Sequence, residues 1–331
     1  MDDSSDIHAP LARFRGEAPP APPWFTRALA QAPERRRVNV EGAGIETLAW
    51  GEAGRPGLLF LHGHGAHADW YSFIAPFFAA RHRVVAMSWS GMGGSDWRES
   101  YSIDQYAREA VAVAEATGLF AAAAPPVVVG HSLGGAAALA LAADFGDRFA
   151  AAVVVDPPVF RPERIEKHRQ NQPRYNLRTH TRYPTLAAAL ARFRLMPLQP
   201  CDNIFILDHI ARLSLREVEG RGEVPSGWSW RFDWGLWSRL ARRNPKPLIA
   251  AARCPLALVR GGRSRLMARE DAAFMMSLLP ADAPYVEVPE ADHHVMLDQP
   301  LAFVAAIEAL VATRRATWPA AWPTPAVPVP A

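Results

Sequence analysis

Five short apolar runs punctuate the chain: Leu58-Leu59-Phe60-Leu61, Val84-Val85-Ala86-Met87, Val127-Val128-Val129, Ala152-Val153-Val154-Val155 and Leu256-Ala257-Leu258-Val259. None alternates with polar residues, so both faces of each strand are expected to be buried, as in a parallel sheet covered on both sides. Between them, apolar positions recur at helical spacing over residues 70–80, 103–117, 133–145 and 269–279. Strand–helix alternation of this kind predicts an α/β fold, a mostly parallel central sheet flanked by helices. Ahead of the first run, residues 37–40 and 45–50 flank Glu41-Gly42-Ala43-Gly44, which predicts a leading antiparallel hairpin.

The alternation stops after Asp156-Pro157-Pro158 and returns at Cys254. Residues 159–247 show no clear strand run, many arginines and an aromatic set at Trp228, Trp230, Phe232, Trp234 and Trp237. We expect an inserted, mostly helical cap over the carboxyl ends of the strands, where open α/β sheets bind ligands. The domain plan is then a Pro-rich N-terminal arm (1–35), a core from 36–157 and 248–313, a cap (158–247) and a Pro/Ala-rich tail without regular structure (314–331). Six prolines lie in the first 35 residues, so the arm is expected to be extended along the domain or mobile.

Composition narrows the class. Of 331 residues, 50% are hydrophobic and 21% charged, enough apolar material for a core and too much for a disordered chain. The net charge of +3 comes from interspersed charges, and no nucleic-acid module is recognisable, so nucleic acid is not an expected partner. No run of about 18 apolar residues exists, and the acidic start MDDSSDIHAP is no secretory signal. Cys201 and Cys254, lacking CxxC spacing, suggest neither a disulfide framework nor a zinc site, and point to the cytoplasm.

Candidate chemistry centres on Gly130-His131-Ser132-Leu133-Gly134-Gly135, directly after one predicted strand and before a small-residue helix. In this G-x-S-x-G spacing the serine sits on a strained strand-to-helix turn, and glycines on either side prevent a clash. Without its strand and helix the motif would read as an ordinary glycine-rich turn; no Lys-Ser/Thr pair follows, as a P-loop requires. An acyl-transfer site also needs two backbone N–H donors for an oxyanion. Leu133, next after the serine, and His64, in His62-Gly63-His64-Gly65, are the candidates. The cluster His62, His64 and His67 has no accompanying carboxylate motif, so no metal is expected there, and His62 is expected to tie loops together. A serine needs an adjacent base. Glu290-Ala291-Asp292-His293-His294, between a predicted strand at 285–289 and a helix starting near Pro300, offers His293 or His294, of which His294 reads more readily as a solvated loop residue.

Together with Ser90-Gly91-Met92-Gly93-Gly94-Ser95, these motifs resemble the α/β-hydrolase superfamily, especially its capped, lipase- and esterase-like members. The resemblance implies a triad with Ser132 as nucleophile and His293 as base, and no cofactor. It often places the orienting acid after the strand at 256–259. Here that loop reads Arg260-Gly261-Gly262-Arg263-Ser264-Arg265, with no carboxylate, which shifts the acid to Asp156, as in members carrying it after the earlier strand. Asp271 and Asp298 are expected on helix surfaces, and Asp292 is an outside candidate. Ser88 stands where the family often has aspartate. A serine nucleophile sets aside epoxide hydrolase and haloalkane dehalogenase chemistry, which uses aspartate at that position. The expected partner is a small-molecule substrate, a small or medium carboxylic ester. The alternatives are a carbon–carbon hydrolase of a ring-cleavage dienoate, whose carboxylate an arginine of the 161–182 segment would bind, and a non-catalytic small-molecule-binding protein of the same fold.

Overall fold

The computed structural model describes residues 7–170, 181–220 and 225–317, without the side chains of 167–170 and 314–317. Eight strands form one sheet: β1 (Glu34–Val40), β2 (Ala43–Trp50), β3 (Gly57–Leu61), β4 (Arg83–Met87), β5 (Val127–His131), β6 (Ala151–Val155), β7 (Leu256–Gly261) and β8 (Tyr285–Val288). Their spatial order is β1-β2-β4-β3-β5-β6-β7-β8. The leading hairpin pairs antiparallel, and β2 meets β4 antiparallel. Every pair from β4 to β8 is parallel.

Every residue of β3 to β7 is buried. Alternate side chains feed two cores, one on each face of the sheet. Leu59, Leu61, Val128 and Val154 pack with α2 (Ile103–Ala116) and α3 (Leu133–Phe145), while Leu58, Phe60, Val129 and Val155 pack with Phe73, Phe78 and Phe303. Two covered faces are why the sequence runs are uniformly apolar rather than alternating. Helix α3 is almost wholly Gly, Ala and Leu and is buried nearly all round, so its small side chains let it lie close under the sheet. Two further helices, α4 (Arg269–Met276) and α5 (Pro300–Thr317), complete the flanking layers.

Several expectations need correction. The stretch 70–80 is no continuous helix but a 3-10 turn (Ala68–Tyr71) and a short helix (Ala75–Phe78), since Pro76 has no N–H for a helix running through it. Within residues 7–35 the N-terminal stretch runs against the domain, as one reading expected, but it includes a short helix. Pro23 opens the helix α1 (Pro23–Leu29), where its missing N–H is harmless, and Phe25 is buried against Phe73 and Phe205. The insertion between β6 and β7 is not purely helical. Beside the helices Pro162–Gln170, Leu186–Leu190, Ile204–Leu213, Leu236–Arg239 and Pro245–Ala250 it holds an antiparallel ribbon, Leu215–Val218 against Gly227–Trp230. Helix α5 runs on to Thr317, into the tail (314–331) expected to lack regular structure, and the rest of that tail lies outside the described residues. Among the described residues no helix is long and apolar enough to cross a membrane.

Candidate active site

Four loops leave the carboxyl ends of β3, β5, β6 and β8 and bring His62, Ser132, Asp156 and His293 to one edge of the sheet. Register does the positioning. Leu61 pairs with Gly130, and His131 pairs with Val155, so the residues that follow emerge side by side.

Ser132 begins the turn into α3 with φ 52° and ψ −115°, a left-handed backbone that side-chain-bearing residues rarely adopt. Holding it there stores about 1–3 kcal/mol. The neighbouring glycines show what the turn demands: a Cβ on Gly130 would lie 2.3 Å from the Gly134 carbonyl oxygen, and one on Gly134 would lie 2.2 Å from that of Leu61. The Ser132 N–H donates to the Val155 carbonyl at 2.9 Å, extending the β5–β6 ladder into the turn. Ser132 is half-buried, and among the described residues its Oγ makes no hydrogen bond.

Asp156 is fully buried, with φ 46°. Its Oδ1 accepts from His293 Nδ1–H at 2.8 Å and from Ser264 Oγ–H at 2.7 Å, and its Oδ2 accepts from Gly261 N–H at 3.1 Å. The loop after β7, which has no carboxylate, therefore supplies two donors that hold the carboxylate of Asp156. Gly261 matters twice, because a Cβ there would lie 2.1 Å from the Asp292 carbonyl oxygen. Neither Gly261 nor Ser264 was singled out from the sequence; a serine beside the expected acid position was the only available signal. Arg265 is exposed, and its carbonyl accepts from Arg164.

His293 Nδ1–H faces Asp156, leaving Nε2 for other work. Its loop is pinned from both sides. The Asp298 carboxylate accepts from Asp292 N–H at 2.8 Å, and Gln199 of the insertion accepts from His294 N–H at 3.0 Å while donating to Asp298 at 2.8 Å. Burial pushes the Asp298 carboxyl up to about 7 and also raises that of Asp292. Asp298 is half-buried rather than set on an open helix surface, and Asp271 is more enclosed still. Asp271 is completely buried and grips Arg161 and Arg164 at the start of the insertion. His294, which could have been a solvated loop residue, is buried and lies against His131 and Trp70. Burial holds the His131 and His294 imidazoles well below their usual range.

On the opposite wall, His62 acts as the expected tie. Its Nδ1–H donates to the Gly63 carbonyl at 2.7 Å, and its Nε2 accepts from Trp89 N–H at 3.1 Å. Burial drops its pKa to about 3, which fixes the neutral ring that these two bonds require. Leu133 is the first residue of α3, so its N–H has no acceptor within the helix. His64 N–H likewise donates to no protein acceptor among the described residues. The His64 ring rests on Trp237, 4.6 Å between centroids. Ser88 accepts from Ala68 N–H and donates to the carboxylate of Glu46.

The arginines at 161–182 do not form a free anion site where they are described. Arg161 and Arg164 hold Asp271, and Arg182 donates to the carbonyls of Glu219 and Pro225. Arg174 and Arg178 lie outside the described residues, as do the side chains of Lys167 and Arg169. A cleft of about 520 Å³ beside Arg37, Trp97 and Arg231 contains none of Ser132, Asp156 and His293.

An eight-stranded, mostly parallel sheet with a strained serine after its central strand defines a hydrolase of the α/β class. The chain belongs to the alpha/beta hydrolase family, whose model matches residues 58–307. The esterase Rv0045c of Mycobacterium tuberculosis is 26% identical over 309 residues, covering 86% of this chain and 95% of that one. A pimeloyl-[acyl-carrier protein] methyl ester esterase of Chromobacterium violaceum is 27% identical, covering 80% and 95%. Among solved structures, E-2-(acetamidomethylene)succinate hydrolase matches with a TM-score of 0.69 at 22% identity, covering 84% of this chain and 99% of that one.

Proposed function

We propose that this α/β hydrolase is a serine esterase acting on a small or medium carboxylic ester through Ser132, His293 and Asp156. The 2.8 Å contact between Asp156 and the inner nitrogen of His293 carries this reading, with the strained Ser132 next in the chain to His131, which donates to the His293 carbonyl. With Nδ1–H committed to Asp156, the lone pair of Nε2 is the one available to a hydroxyl. Ser132 Oγ attacks the ester carbonyl as its proton passes to Nε2. The oxyanion is met by the N–H groups of His64 and Leu133. Collapse breaks the bond to the alkoxy group, which leaves as an alcohol with the proton from His293. Water then gives its proton to Nε2, its oxygen adds to the acyl carbon, and Ser132 leaves with that proton, releasing the acid. The hydroxyl closes on Nε2 when substrate is bound, since such bonds are often long or misaligned without it.

The insertion between β6 and β7 serves as the cap in this reading, with Trp237 against the His64 loop. The dienoate alternative gains no support from the described arginines at 161–182, since Arg161 and Arg164 are taken up by Asp271 and Arg182 by two carbonyls. Two free cysteines fit a cytoplasmic setting.

Fluorophosphonate labelling tests the proposal. Wild type is expected to be labelled at Ser132 and to turn over p-nitrophenyl esters, and Ser132→Ala to do neither. Absent labelling would leave a non-catalytic binding protein; turnover of dienoates without esters would leave the carbon–carbon reading.

A further inference from the structure

Around the proposed base lies a cluster of three histidines, of which the esterase mechanism uses only His293. His131, His293 and His294 are all buried, and one ring nitrogen from each lies within 4.8 Å of the others. Their rings pack at centroid distances of 4.7 Å, 5.4 Å and 4.8 Å. Imidazoles buried side by side are normally each consumed by hydrogen bonds. These are not. His131 Nδ1 and both ring nitrogens of His294 make no hydrogen bond of good geometry, although the Met196 carbonyl lies near the His294 ring. His131 uses only Nε2–H, which donates to the His293 carbonyl at 2.9 Å, so its Nδ1 carries a free lone pair. His293 uses only Nδ1–H, on Asp156.

We propose that His131, His293 and His294 form a binding site for a borderline divalent transition metal ion such as Zn²⁺, Ni²⁺ or Cu²⁺, and that an ion held there blocks hydrolysis. Imidazole suits these ions, and three imidazoles with water or the Ser132 hydroxyl make a four-coordinate set. The outer partners are already those that ligating histidines use: a carboxylate behind His293 and a backbone carbonyl behind His131. Metal–nitrogen bonds of about 2.0–2.1 Å put tetrahedral ligand atoms about 3.4 Å apart, so the rings must close by little more than an ångström. His131 and His294 sit next to Ser132 and His293 in the chain, so the ion and the substrate compete for one imidazole.

The blocking effect rests on the reading of His293 as the base; binding does not, and the two are measured separately. Co²⁺ added to the full-length protein should give the intense visible bands of a low-coordinate ion, one per chain, bleached by Zn²⁺. His131→Gln and His294→Gln should each weaken Co²⁺ binding by at least the ~10–100-fold that loss of a supporting residue alone produces. Should either variant fail to fold, zinc anomalous scattering from a soaked wild-type crystal gives the same answer, with a peak among the three rings. Zn²⁺ should abolish ester turnover, and a chelator should restore it. No cobalt bands, unchanged affinity in both folded variants, or a zinc peak only elsewhere would overturn the site. A bound ion with undiminished turnover would overturn the block. A protein that turns over no ester, yet shows the bands, would sink the esterase reading and leave the site standing.

Discussion

Ser132 and Asp156 both sit at positive φ, where residues other than glycine are strained. That strain can be separated from function. Ser132→Gly removes the Cβ from an unfavourable backbone, and its relief opposes glycine's extra chain entropy, so the variant should melt no lower than wild type while losing all labelling. Gly134→Ala should do the reverse to the fold: its new methyl meets two backbone carbonyls, and a urea titration should show a loss of more than about 2 kcal/mol. Asp156→Asn keeps the shape but not the charge, and should lower kcat by about 10⁴-fold by favouring the wrong imidazole tautomer. Near-normal turnover would remove Asp156 from the triad.

At the scale of elements, the loop carrying His293 is held by a carboxylate that titrates in the working range. The folded pKa of Asp298, about 7, lies above the unfolded 3.8, so between these values the folded state holds more protons. Its contribution to stability is complete below about pH 4 and is lost as pH rises through about 7. The stability difference between Asp298→Asn and wild type should therefore move in favour of the variant across that window; a pH-independent difference would refute the assignment. Elements were legible where their physics was local. The strands β3 to β7 declared themselves because both faces are apolar, and α3 because a helix under a sheet needs small residues. The ribbon at Leu215–Val218 was hidden, since its four residues include Arg216 and Glu217 and are too few to show alternation. Asp271 read as a surface residue because its partners lie about 110 positions away in sequence. Of the residues proposed for the site, Ser132, His293 and Asp156 were read from motif, spacing and resemblance, and the fold brings Asp156 and His293 into contact. Ser264, Gln199 and the packing of His294 against His131 depend on tertiary contacts that no local pattern encodes.

Across the whole molecule, the insertion is fastened to the sheet at several separated points. Asp271 holds Arg161 and Arg164 near its start. Asn203 donates to the carbonyl of Leu297 at 2.7 Å, and Asp233 accepts from the Tyr101 hydroxyl at 2.7 Å. Asp271→Ala leaves two guanidinium groups without their buried partner, and should cost about 3 kcal/mol in a denaturant titration, at the low end for a broken buried pair because both arginines reach solvent.

The stretch from Val159 to Pro255, which leaves Asp156 outside it, begins and ends beside adjacent strands locked in register at Ala152 with Leu256. Exchanging the stretch for the corresponding one of a relative would leave that seam where it is. If the insertion acts as the proposed cap, chimaeras of this kind should keep one reactive centre and differ in the esters they turn over, which a panel of acyl and leaving groups would read.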